Sequence, residues 1–156
     1  MVDVHSPETR SKNMRAIRGK NTRPEVAFRK LLFGAGYRYR ITPKNLPSKP
    51  DLYLKKYKAI ILINGCFWHG HGCHLFHWPK SRPNFWKNKI RESVSRDFRN
   101  IKQLNSRGLK VLVVWECAMK GKLRLPVYVL LALAERWLSD YSCNATIDSD
   151  GLKLKL

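Results

Sequence analysis

The sequence predicts an α/β domain, a mixed central sheet flanked by helices, and three observations carry that reading. Short runs of strand composition alternate with segments whose apolar residues recur at spacings near three and four. One run, "KVLVVWE", is apolar at consecutive positions, as in a strand covered on both faces. At 156 residues the chain has the length of one domain, enough to bury roughly two thirds of its unfolded surface around a single core.

Residues 1–20, with "TRSKNMRAIRGK", are helix-compatible but poor in core residues, and read as a basic arm or short helix lying on a partner. Residues 21–156 read as one domain. In "NTRPEVAFRKLLFGAG", Thr22 can cap a helix, Pro24 suits its first turn, Ala27, Phe28, Leu31 and Leu32 give one apolar face, and Gly34 or Gly36 ends it. "YRYRI" suggests a strand. After the loop "TPKNLPSKP", the runs "DLYL" and "KAIILI" have strand composition and a hairpin-sized gap, "KKY", between them. From Pro83 to Arg107 the positions Trp86, Ile90, Val94, Ile101 and Leu104 mark a long amphipathic helix ending at Gly108. "KVLVVWE" follows as a strand, "PVYVLLALAERWLSD" as an apolar helix, and the tail "NATIDSDGLKLKL" as a hairpin turning through Asp150 and Gly151. Helix, three strands, long helix, strand and helix pack as a mixed sheet with flanking helices.

Lys and Arg number 31 against 11 Asp and Glu, a net +20 spread along the chain. Such a field favours a polyanion, nucleic acid first and an anionic membrane surface second. No apolar run approaches the roughly 18 to 20 residues that span a bilayer. "MVDVHSPETRSKN" also lacks the hydrophobic stretch of a signal peptide, so an intracellular protein is expected. In a reducing compartment, cysteines clustered with histidines point to metal and away from disulfides.

That cluster is "NGCFWHGHGCH", residues 64–74. Cys66, His71 and Cys73 offer three zinc-competent donors within eight positions, and Cys117, directly after "KVLVVWE", offers a fourth. Four protein ligands leave no open position, so the expected ion is structural and joins the loop after one strand to the end of another. Buried unligated cysteines are the competing reading; Cys143, in a polar tail, reads as a bystander. Asp51 at the start of one strand and Asn64 at the end of the next come close in a hairpin, the layout of a nuclease metal site. A turn-forming Asp after proline is the plainer alternative.

The segments "TRSKNMRAI", "PSKPDLYL", "GCFWHGHGCH", "NFWKNKI", Arg96–Asp97 and "VLVVWECA" together make the chain resemble the very short patch repair (Vsr) endonucleases. The resemblance covers the chain to about residue 120, and it implies a restriction-endonuclease-like fold of the PD-(D/E)xK group. It also implies residue roles. Asp51 and the carbonyl of Ile63 correspond to magnesium ligands, and His69 to the general base. Glu25 corresponds to a carboxylate that orients water near the metal, although "TRPE" is also a capping box in which Glu25 reaches back to the Thr22 amide. Cys66, His71, Cys73 and Cys117 correspond to the zinc ligands. One position departs: family members carry histidine or aspartate where this chain has Asn64, whose neutral amide can ligate weakly but cannot serve as a base.

Aromatic residues at such spacings are core more often than not, and Phe85 and Trp115 are expected there. By the resemblance, Phe67, Trp68 and Trp86 would instead enter the DNA stack beside a T:G mispair, where unstacking is least costly. Met14 would approach the opposite groove, and Lys89 the bases near the mispair, with a solvated or phosphate-touching face as the alternative for Lys89. The implied function is Mg²⁺-dependent nicking of one strand 5′ of the thymine, in double-stranded DNA where 5-methylcytosine has deaminated. The implied setting is the cytoplasm and nucleoid of a bacterium, with mismatch-repair proteins as possible partners and a monomer sufficient. The alternatives are a restriction-type enzyme of the same fold and a non-catalytic zinc-stabilised DNA-binding module.

Overall fold

The computed structural model describes residues 21–155. The expected arm, residues 1–20 with Met14, lies outside the described residues. The described chain runs α1 (Arg23–Gly34), β1 (Arg40–Ile41), β2 (Leu52–Leu54), β3 (Ala59–Asn64), α2 (Pro83–Ser106), β4 (Lys110–Trp115), α3 (Val127–Asp140), β5 (Asn144–Asp148) and β6 (Gly151–Lys155). The strands form one six-stranded sheet in sequence order. β1, β2 and β3 are antiparallel, β3, β4 and β5 are parallel, and β5 and β6 close as an antiparallel hairpin. The expected mixed sheet with flanking helices is the arrangement found.

The apolar runs of β3 and β4 are buried on both sides because each face has its own cover. Ile61, Ile63, Leu112 and Val114 pack with Phe28 and Leu32 of α1 and with Leu130, Ala134 and Trp137 of α3. The alternate residues Ile60, Val111 and Val113 face the other way and pack with Leu104 of α2. Trp137 is fully buried and donates its indole N–H to the Cys143 carbonyl at 2.8 Å, so its polar edge carries no desolvation cost. Lys110 sends Nζ to the carbonyls of Trp137, Leu138 and Tyr141 at the C-terminal end of α3. No helix among the described residues is long and apolar enough to cross a membrane.

Several local expectations are corrected. Strand pairing in "YRYRI" is confined to Arg40–Ile41, because the preceding tyrosines use their hydroxyls elsewhere: Tyr37 on Glu135 and Tyr39 on the Arg29 carbonyl. Ala27 is exposed, since the face of α1 toward the sheet is set by Phe28 and Leu32. Phe85, expected in the core, is 41% exposed, and Val94 is exposed too. Both lie on the first half of α2, whose contact with the lower face of the sheet comes later, through Ile101 and Leu104. Trp115 is only half-buried, for a reason given below.

Candidate active site and metal centre

The expected residues meet beyond the carboxyl ends of the parallel strands, where open α/β sheets place ligands. Pairing of Leu52 with Ile61 sets Asp51 just before the first residue of β2, and its Oδ2 accepts the Ile63 backbone N–H at 2.7 Å. Burial, and then the nearby Glu25 carboxylate, push the Asp51 carboxyl up from 3.8 to about 6, against the opposing pull of the Ile63 N–H, His69 and Arg29. Two carboxylates in a half-dry pocket repel each other, and a cation relieves both effects.

Glu25 takes part in the cap and also lies near enough to Asp51 to act on its charge. Thr22 Oγ1 accepts the Glu25 N–H at 3.4 Å, while Glu25 Oε2 accepts the N–H of Asn21 at 2.8 Å, one residue earlier than the expected Thr22 amide. At the same time the side chain, 8% exposed, acts on the Asp51 charge. Asn64 ends β3 and is 7% exposed, and its side chain has no hydrogen-bond partner among the described residues. A buried amide in that position is satisfied by a ligand or water.

His69 sits in the loop after β3, with Nδ1 at 2.6 Å from Oδ2 of Asp97. Asp97 belongs to "RD" in the long helix and had no role assigned from the sequence. Its place follows from helix geometry: Ile90, Val94 and Asp97 are four and three residues apart and so share one face of α2. Gly70 allows the loop to lie against that face. Its φ is +66°, and a Cβ there would sit 2.9 Å from Ile90 Cγ2 and 3.1 Å from Val94 Cγ2. With the loop seated so closely, the next helical turn delivers the carboxylate to His69. Arg29, whose charge reaches Asp51, was also missed by sequence reasoning.

On the other side of the loop, one ligand atom from each of Cys66, His71, Cys73 and Cys117 lies within 4.8 Å of the others. His71 Nδ1 is 3.7 Å from Cys117 Sγ. A tetrahedral ion with bonds of about 2.3 Å to sulfur and about 2.0–2.1 Å to nitrogen needs about 3.6 Å between such donors, so the residues fit a metal. Burial pushes the Cys66 and Cys117 thiols up, as neighbouring thiolates in a dry site require a cation to persist. Burial also lowers the His71 pKa, against the pull of Asp148, which favours the neutral imidazole that ligates. Trp115 stacks on His71, with ring centroids 4.2 Å apart and planes at 10°, and its other neighbour is the His69 ring at 6.4 Å. This bridging position leaves Trp115 at the edge of the core, packed against the cluster of Ile60, Val111 and Val113. Cys143 is not among the four.

Between these two centres, Phe67 touches Trp68, Phe76 and Trp86 at centroid separations of 5.1, 5.8 and 5.4 Å, and Trp68 lies 5.9 Å from Trp86. All three expected wedge residues are half-buried in one cluster. Phe85 extends it, edge-on to Trp86 at 5.1 Å with the Arg82 guanidinium 4.1 Å above its ring. Lys89 is exposed on α2.

Comparison with known proteins agrees with this layout. The family model described as DNA mismatch endonuclease Vsr matches residues 2–75. The chain is 42% identical over 154 residues to the DNA mismatch endonuclease Vsr of Escherichia coli strain K12, covering 99% of each chain. It is 47% identical over 122 residues to the Type II nicking enzyme V.NmeAIP of Neisseria meningitidis serogroup A, covering 78% of this chain and 87% of that one. Identity is 44% over 119 residues to the Type II nicking enzyme V.XorIIP of Xanthomonas oryzae pv. oryzae, covering 76% and 88%. With a relative matched from end to end at this identity, the chain belongs to the Vsr family of DNA mismatch endonucleases.

Proposed function

We propose that this restriction-endonuclease-like enzyme nicks one strand of double-stranded DNA 5′ of the thymine in a T:G mispair, with Mg²⁺ at Asp51 and Zn²⁺ at Cys66, His71, Cys73 and Cys117. The observation that carries the reading is the single loop after β3. It holds His69 on Asp97, three rings of the aromatic cluster and three of the four sulfur and nitrogen donors.

The chain's own groups account for most of the chemistry. With Nδ1–H donated to Asp97, the His69 ring presents Nε2 as an acceptor, able to take a proton from an attacking water. The Asp97 carboxylate holds that tautomer and stabilises the imidazolium that results. Attack at phosphorus breaks the bond to the 3′ oxygen and leaves a 5′ phosphate. Asp51, the Ile63 carbonyl, Glu25 and Asn64 offer the oxygen donors that a hard cation prefers. A magnesium ion held by these groups would supply positive charge beside the scissile phosphate and make a nearby water more acidic. Asn64 is neutral, so the proton falls to His69.

Phe67, Trp68 and Trp86 form the unstacking wedge in this reading. Entering a step costs a few kcal/mol, and least where the pair is already faulty, which turns local weakness into selectivity. The net charge of +20 supplies phosphate contacts, while Met14 would approach the opposite groove and Lys89 the bases near the mispair. The names of the relatives, a mismatch endonuclease and nicking enzymes, support single-strand cutting. The setting that follows is a bacterial cytoplasm and nucleoid, with a monomer sufficient. Incubating matched T:G and C:G duplexes with magnesium and with chelator tests the proposal: cutting should appear only on the mispair and only with metal. Equal cutting of both duplexes would favour a restriction-type enzyme, and binding without cutting a non-catalytic module.

A further inference from the structure

We propose that Asp148 is a positioning residue for the metal centre: its carboxylate accepts the Nε2–H of His71, turning Nδ1 toward the thiols and tying the β5–β6 hairpin to the loop that carries His69. The inference rests on the reading that Cys66, His71, Cys73 and Cys117 hold zinc.

Asp148 is 5% exposed, and its Oδ2 lies 3.5 Å from His71 Nε2. On the opposite side of the ring, Nδ1 is 3.7 Å from Cys117 Sγ. The imidazole therefore spans a thiol and a carboxylate. Parallel pairing explains how they meet. Val114 of β4 is in register with Ile147 of β5, so the next residues, Trp115 and Asp148, emerge side by side at the strand ends. Trp115 covers the face of the ring at 4.2 Å, and Asp148 meets its edge. One register pair thus fixes both the tilt and the rotation of the ligand.

A turn role alone does not account for this carboxylate. The β5–β6 turn uses Oδ1, which accepts the Asp150 N–H at 2.8 Å. Oδ2 is the atom near His71, and Lys153 Nζ also donates to it at 3.0 Å. Lys153 is itself 3.5 Å from Asp150. The acceptor is thus held by groups that are not among the four metal ligands. Ligating histidines donate their second N–H to such an acceptor, which sets the tautomer and makes the ring a better donor to the ion.

The test uses the full-length zinc-loaded protein. Zinc release to an excess of a chromogenic chelator should be about 10- to 100-fold faster in Asp148→Ala than in wild type. Asp148→Asn, whose amide oxygen still accepts, should lie between them. Long-range ¹H–¹⁵N spectra of the wild type need no variant. His71 should show Nδ1 as the metal-bound nitrogen and a slowly exchanging proton on Nε2. A metal-bound Nε2, or wild-type release from a folded Asp148→Ala chain, would overturn the inference and leave the zinc reading standing. A wild-type chain that binds no stoichiometric zinc would overturn both.

Discussion

Replacing Asp51 by asparagine isolates the charge of the proposed magnesium ligand. The folded chain holds the Asp51 proton to about pH 6, and the unfolded chain releases it near 3.8. Between those values the folded state binds more protons, so the contribution of this group to stability falls as pH rises through the window. Above pH 6 the loss is complete. At about 1.4 kcal/mol per pH unit, the interval from 3.8 to about 6 corresponds to about 3 kcal/mol. The amide oxygen of asparagine can keep the Ile63 N–H bond while the charge disappears. In magnesium-free buffer at pH 7.5, with zinc at one fixed concentration, Asp51→Asn should therefore be more stable than wild type by up to about 3 kcal/mol. That is a rise of roughly 5 to 10 °C in Tm, shrinking to about half at pH 5. Added magnesium should stabilise the wild type by mass action and leave the variant unmoved. Nicking should be abolished with mismatch binding retained. Equal stability of the two chains at pH 7.5, or equal stabilisation of both by magnesium, would refute the reasoning.

Asp97→Asn should slow single-turnover nicking by on the order of a hundred-fold or more with DNA affinity unchanged, since only the orientation and charge support of His69 are altered; a wild-type rate would remove Asp97 from the mechanism. Gly70→Ala forces a Cβ against Ile90 and Val94 at positive φ and should destabilise the chain by about 2 kcal/mol in urea unfolding, partly restored by Val94→Ala. Trp68→Ala should narrow the T:G preference about ten-fold while affinity for fully paired DNA is unchanged, and a parallel loss on both duplexes would count against the wedge. Binding should weaken about a thousand-fold or more between 50 and 200 mM salt if about six to ten phosphates are contacted, so a salt-insensitive complex would contradict the electrostatic picture.

How much of the fold is readable depends on whether the deciding interaction is local. The start of α1 is local: Thr22, Pro24 and Glu25 carry the cap within one turn, and the helix begins where they indicate. β3 and β4 are readable because double-faced burial leaves a continuous apolar run. β1 is not, since Tyr37 and Tyr39 have strand composition but are drawn to Glu135 and the Arg29 carbonyl by tertiary contacts. The stripe on α2 misleads in a different way. Its apolar period runs the length of the helix, yet it meets two different surfaces: the sheet through Ile101 and Leu104, and the loop after β3 through Ile90 and Val94. Periodicity marks the face of a helix and is silent about what covers it.

The same division runs through the site. The four sulfur and nitrogen donors are legible because three of them fall within eight residues and the fourth lies two residues past the end of the strand paired with β3. The carboxylates that position the two histidines are not legible from spacing, for Asp97 is 28 residues from His69 and Asp148 lies in the terminal hairpin. Each nevertheless leaves a trace that is local in its own element. Asp97 interrupts an apolar helical stripe at the step where Ile90 and Val94 predict another hydrophobic residue. Asp148 ends a strand on the face opposite Ala145 and Ile147, yet it is buried there at 5% exposure. A carboxylate at a buried position must find a donor. In this fold the loop after β3 brings an imidazole to each of the two carboxylates, beside the Asp150 N–H and Lys153 that Asp148 also meets, so the residues that break the hydrophobic pattern are the ones beside the histidines.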